Sequence, residues 1–166
     1  TVILTKSRGI GKFALIFDIN FFTMIILVIN CGSSSIKYQL LDMKSDEVYD
    51  LLAKGIVEKI GLETGRLQHT VIGKDKVVKD LPVPDHKVGM KLVLEALTDS
   101  EHGVLKSLDD IEAVGHRIVH GGEFFSSSAL VNEDVMKKIE ICCDFAPLHN
   151  PAHILGIRAV QHVLPS

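Results

Sequence analysis

Three short runs in this 166-residue sequence concentrate groups able to do chemistry. The first is Asn30-Cys31-Gly32-Ser33-Ser34-Ser35-Ile36-Lys37. A tight turn between two strands aims several backbone N–H groups one way, and such a nest binds phosphate oxygens. Gly32 allows positive φ and close backbone approach. Ser33, Ser34 and Ser35 add hydroxyl donors, and Lys37 adds a point charge. Asn30 offers a carbonyl oxygen hard enough for Mg²⁺ or for a water that the ion carries. The G-x-x-x-x-G-K-[ST] spacing is absent and no helix follows, so this is not a Walker A loop. An ordinary polar hairpin turn is the alternative reading of the same residues.

The second run is Gly115-His116-Arg117-Ile118-Val119-His120-Gly121-Gly122-Glu123. Arg117 on an apolar strand costs desolvation unless it meets an anion, and its planar guanidinium suits carboxylate or phosphate. Gly121-Gly122 lets the backbone approach a ligand; the alternative reading is an edge-strand Arg117 reaching solvent, with His116 and His120 as ordinary loop histidines. The third run is Ala146-Pro147-Leu148-His149-Asn150-Pro151-Ala152-His153. Pro147 and Leu148 can wall an apolar pocket, and His149 is held between two prolines. Asn150 reads as the N-cap of the following helix, with Pro151 at its first position. This leaves His149 as the candidate ligand contact. His149 and His153 lack a third metal ligand.

Strands and helices must position these runs. Ile25–Ile29 is a continuous β-branched run, the pattern of a buried strand. Ser35–Leu41 alternates and reads as its hairpin partner. Val48–Glu58 reads as a third strand. Arg66–Ile72 and Lys76–Leu81 flank the turn Gly73-Lys74-Asp75. His86–Thr98 has the apolar spacing of a largely buried helix. Ile111–Val119 reads as a strand, and Glu133–Cys143 as an amphipathic helix with Val135, Ile139 and Cys142 on one stripe. Ala152–Val163 reads as a last helix with Leu155 and Ala159 on one face.

Composition excludes several classes. The chain is 46% apolar and 23% charged with a net charge of −3, as a soluble globular protein is. An acidic balance and the absence of Trp speak against a nucleic-acid partner. The three cysteines, Cys31 and the adjacent Cys142 and Cys143, read as reduced thiols of a cytoplasmic protein. Residues 1–23 stand apart: Lys6, Arg8, Lys12 and Asp18 give them +2, which leaves −5 on the other 143 residues. Their basic, apolar character before Cys31 has the outline of a lipoprotein signal. Asp18 inside the apolar stretch and Ile29-Asn30 before the cysteine argue against it. The preferred reading makes Met24 the start of the domain, with residues 1–23 an upstream extension outside the fold.

Together, ILVINCGSSSIK (residues 26–37), VGHRIVHGGE (114–123) and FAPLHNPAH (145–153) resemble the acetate kinase family in order and spacing. The resemblance starts at Met24 and covers about the first third of a family member. It implies an α/β, ribonuclease-H-like (actin-like ATPase and sugar kinase superfamily) N-terminal domain that is incomplete here. It implies transfer of the ATP γ-phosphoryl group to acetate, with Mg²⁺ as cofactor. By position, Asn30 would serve the Mg²⁺ site, Lys37 would contact ATP, and Gly32, Ser33 and Ser35 would line the phosphate loop. Arg117 would bind the substrate carboxylate, Val119 and Leu148 would form the methyl pocket, and His149 would neighbour the transferring phosphoryl. The family's catalytic Asp would lie beyond Ser166, so this chain alone is expected to be inactive. Its surface facing a second domain should be apolar, and full-length members are expected to be homodimers. No membrane partner is implied. A propionate kinase, or a non-catalytic phosphate- or carboxylate-binding domain, are the alternatives.

Overall fold

The computed structural model describes residues 2–7, 24–45 and 47–164. Among the described residues, eight strands form one sheet: β1 (Val2–Ser7), β2 (Met24–Gly32), β3 (Ser35–Met43), β4 (Tyr49–Glu58), β5 (Gly65–Val71), β6 (Val77–Leu81), β7 (Ala113–Arg117) and β8 (Ala129–Leu130). Their spatial order is β6-β5-β4-β3-β2-β7-β1-β8. The described residues also form three α-helices: α1 (His86–Thr98), α2 (Glu133–Ile141) and α3 (Asn150–Val163).

Strands β2 to β6 form an antiparallel meander. The chain then crosses over through α1 and returns as β7, parallel to β2. This turns the sheet from antiparallel to parallel at β2. Alternation decides which face is covered. Leu27, Ile29 and Cys31 of β2 and Ile36, Tyr38 and Leu40 of β3 are buried in one cluster with Met90, Val93, Leu94 and Leu97 of α1 and Ala159 and Val160 of α3. Helix α1 is bounded as its sequence predicts: Asp85 caps it by accepting from the Val88 N–H at 2.8 Å.

The structure extends or corrects several sequence readings. Strand β2 runs on through Asn30, Cys31 and Gly32, because ladder pairing with β3 overrides their turn-forming composition. Helix α2 ends at Ile141 and tightens into a 3₁₀ turn over Cys142–Asp144. On α3, Ala159 is buried but Leu155 is exposed. The covered stripe runs through Ala152, His153, Gly156, Ile157 and Val160 instead. Val2–Ser7, in the segment read as standing outside the fold, pairs antiparallel with β7 and parallel with β8. Residues 8–23 lie outside the described residues. Cys31 is 3% exposed within β2, and burial pushes its thiol up to about 12.

Helix α3 lies directly on β2. A Cβ added at Gly156 would come within 2.3 Å of Cys31 Sγ. Gly156→Ala should therefore lower stability by about 1–3 kcal/mol, the usual cost of overpacking. A thermal melt checks this, and an unchanged melting temperature would contradict the close approach.

Candidate functional site at the ends of β2 and β7

The β2–β3 hairpin closes in two residues, Ser33 and Ser34, with Gly32 opposite Ser35, Cys31 opposite Ile36 and Asn30 opposite Lys37. Cys31 and Ile36 face the helices, so Asn30 and Lys37 share the opposite face. There they line an open cavity of about 510 Å³ with Gln39, Lys54, Gln68 and Thr70. Ser33 and Ser34 are exposed and Ser35 is half-buried. The Ser34 carbonyl accepts from the Ile60 N–H at 3.0 Å, which ties the turn to the end of β4. The expected positive φ at Gly32 is not adopted: the described glycines with positive φ are Gly61, Gly73 and Gly122. Gly32 instead gives room, since a Cβ there would stand 3.2 Å from Ser35 Oγ.

The parallel register brings the second run to the same level. Ile29 pairs with His116, so the next residues along, Asn30 and Arg117, lie side by side on one face at the carboxyl ends of their strands. In open α/β sheets this is where ligands bind. Arg117 is exposed and takes part in none of the ion pairs among the described residues. It reaches the open face of the sheet, so the desolvation expected of an Arg on an apolar strand does not arise. Val119 is 47% exposed and Leu148 79%, and His149 is also exposed. Arg117, Val119, Leu148 and His149 are thus all exposed to solvent, and none of them lines the cavity that holds Asn30 and Lys37.

What fixes the third run is Asn150, and here the sequence reading is overturned. Asn150 is not the cap of α3; His149 occupies that position, with no side-chain cap bond. The Asn150 side chain is fully buried. Its Nδ2 donates to the carbonyls of His120 at 2.8 Å and Cys142 at 3.2 Å, and its Oδ1 accepts from the His120 N–H at 3.4 Å. One amide thus joins the loop after β7, the end of α2 and the start of α3. Local sequence could not show this, because the His120 partner is 30 residues away and Asn-Pro resembles a cap. His120 is more than a loop histidine: its ring stacks on Phe145 with centroids 5.7 Å apart, and its Nδ1 accepts from the Gly122 N–H at 3.1 Å.

Two buried histidines lie beneath these groups. Burial lowers His116 to about 3, with the charge of His153 adding to the effect. Burial lowers His153 to about 4, with His149 and Arg117 acting in the same direction. The charge coupling shows that the second and third runs meet at α3. His153 Nδ1 is buried without a hydrogen-bond partner among the described residues. Among the described residues, no group of three or more His, Cys, Asp or Glu side chains is arranged to hold a metal ion. Asn30 alone supplies one neutral oxygen. That fits a metal arriving with ligands of its own rather than one caged by the protein.

An α/β sheet that turns parallel beside a serine-rich hairpin, with Arg117 at the same strand ends, belongs to the class of open α/β domains whose strand ends form ligand sites. Comparison with known proteins makes the relationship specific. The model of the acetokinase family matches residues 25–166. The acetate kinase of Clostridium acetobutylicum is 56% identical over 140 residues, covering 84% of this chain and 34% of that protein. The acetate kinase of Thermoanaerobacter pseudethanolicus is 54% identical over 142 residues, covering 86% and 35%. Among solved structures, Porphyromonas gingivalis acetate kinase matches with a TM-score of 0.81 at 44% identity, and a propionate kinase from Francisella tularensis with 0.75 at 38%. Each match covers 86% of this chain and 35% of the other. The chain belongs to the acetokinase family and spans about a third of the length of the relatives it matches.

Two measurements test this geometry. Asn150→Ala should destabilise the chain by roughly 2 kcal/mol, because it removes three side-chain hydrogen bonds that join the His120 loop, Cys142 and the start of α3; urea denaturation giving an unchanged midpoint would refute the bracing role. Stability should also depend on pH. His116 and His153 stay neutral in the fold below their ordinary 6.5, so the unfolded chain binds protons that the folded chain does not. Stability is therefore full above about pH 6.5 and falls as pH drops toward 4, by at most about 1.4 kcal/mol per pH unit for each group. His153→Leu should flatten that slope; an equally steep slope would show that His153 titrates normally.

Proposed function

We propose that residues 24–166 are the N-terminal portion of an acetate kinase, which passes the γ-phosphoryl group of ATP to acetate and gives acetyl phosphate and ADP reversibly. The observation that carries this reading is the side-by-side placement of Asn30 and Arg117 beside the serine turn. Phosphoryl transfer depends on positioning and charge neutralisation more than on covalent help from the protein. The Gly32–Ser35 turn and Lys37 would hold ATP phosphates, and Arg117 would hold the acetate carboxylate in two parallel hydrogen bonds. Val119 and Leu148 would shelter the methyl group, and His149 would stand near the group in transfer. Mg²⁺, brought with ATP and met by Asn30 directly or through a water, would neutralise phosphate charge when bound.

A site built on one ion pair and an apolar wall discriminates a methylene by only about 1–3 kcal/mol. Propionate is therefore a second substrate of the same site, in keeping with the propionate kinase among the structural relatives. Residues 1–23 would be an upstream extension, and the working enzyme a cytoplasmic homodimer. Among the described residues no helix is long and apolar enough to cross a membrane. The catalytic acid, the adenosine site and the dimer contacts would come from the remainder of the enzyme, so this chain alone should form no acetyl phosphate.

A chimera tests the reading. Residues 25–166 replace the matching third of the Clostridium acetobutylicum enzyme, and acetyl phosphate is trapped with hydroxylamine. The chimera should turn over acetate, and Arg117→Ala within it should raise the acetate KM by about tenfold or more and lower kcat, as loss of a charge-assisted bond would. A folded chimera that leaves acetate untouched, or an Arg117→Ala form with unchanged kinetics, would contradict the assignment.

A further inference from the structure

We propose that His86 is a positioning residue for the phosphate turn: from the first turn of α1 it fixes the Gly32–Ser33 peptide so that the Ser33 amide faces outward. The inference rests on the phosphate reading of that turn. His86 is buried, and its Nε2 lies 2.7 Å from the Gly32 carbonyl oxygen, 54 residues away in sequence. A carbonyl can only accept, so Nε2 carries the proton. No described peptide is cis. In a trans peptide the C=O and the following N–H point in opposite directions. Drawing the Gly32 oxygen toward α1 therefore turns the Ser33 N–H away from it, to the side where Ser33 is exposed. If that peptide flipped, a carbonyl dipole would face the anion in place of an amide donor.

The clamp itself is held firmly. Asp85 caps α1 one residue earlier. Gly89, one turn on, lets the helix press on the hairpin: a Cβ there would stand 2.9 Å from Ile36 Cδ1 and 3.3 Å from Ile60 Cδ1. Ile36 follows Ser35 directly, and the Ile60 N–H already bonds the Ser34 carbonyl. The turn is thus closed by the Gly32–Ser35 ladder pair and held at two carbonyls, that of Gly32 by His86 and that of Ser34 by the Ile60 N–H, while Ser33 and Ser34 stand exposed.

The test uses the ¹⁵N-labelled 166-residue chain titrated with inorganic phosphate and then with Mg·ATP, following the Ser33 amide and the His86 ring nitrogens. The wild-type ring should be the Nε2–H tautomer. His86→Leu, which keeps bulk without a donor, should weaken phosphate binding at Ser33 by about tenfold, the effect of one lost hydrogen bond. His86→Gln, whose amide can donate, should recover most of that loss, and both variants are compared at temperatures where circular dichroism shows them folded. An Nδ1–H tautomer in the wild type would overturn the inference, as would a folded His86→Leu that binds like the wild type. If His86→Leu does not fold, the tautomer and the His86→Gln affinity decide. A wild-type chain whose Ser33 amide ignores phosphate overturns the reading of the turn, and the clamp's role with it.

Discussion

The parallel pairing of β2 with β7, Ile26 to Ile29 against Ala113 to His116, is the contact on which the site depends. It joins two segments more than eighty residues apart and sets their carboxyl ends level. A slip of one residue would turn Arg117 toward the helices and expose His116. The register is held by buried residues on both strands: Leu27 and Ile29 on one face of β2, and Ala113 to His116 along β7. The apolar core thus does more than stabilise the sheet. It determines that Asn30 and Arg117 emerge together beside the serine turn.

Around that pairing the fold uses a few polar braces. Asn150 joins three segments through one buried amide, and His86 reaches from α1 to the turn. Both are buried groups with satisfied donors, for which a lost partner is more harmful than the bond's net contribution suggests. His116 and His153 are of another kind, held neutral under the exposed Arg117 and His149. Kept neutral, they add no positive charge beneath a site that holds its own cation at Arg117.

Much of this architecture is legible in the sequence, for local reasons. Helix α1 is legible because its apolar spacing runs from Val88 to Leu97, and the Asp85 cap found in the structure agrees with that start. The β2–β3 hairpin followed from alternation in residues 35–41. Of the site, the family resemblance supplied the assignments of Lys37, Arg117 and His149, and the topology explains why three distant runs can serve one place. The sequence was less informative where structure depends on distance along the chain. Asn30 reads as a turn residue until its ladder partner Lys37 is known. Asn150 reads as a cap because its partner on β7's loop is invisible locally. His86 reads only as the start of a helix, and Leu155 only as one more apolar residue. The two-residue β8 and the pairing of Val2–Ser7 carry no local signal strong enough to read.

The central claim is that the runs at 30–37, 114–123 and 145–153 surround one nucleotide and carboxylate site. Paramagnetic broadening of the backbone amides by Mn²⁺·ATP, with Mn²⁺ in place of Mg²⁺, measures this directly. The account predicts that broadening centres on Asn30 to Lys37 and extends to Arg117 and His149, with β6 and the end of α1 unaffected. Broadening centred elsewhere, or confined to one of the three runs, would contradict it.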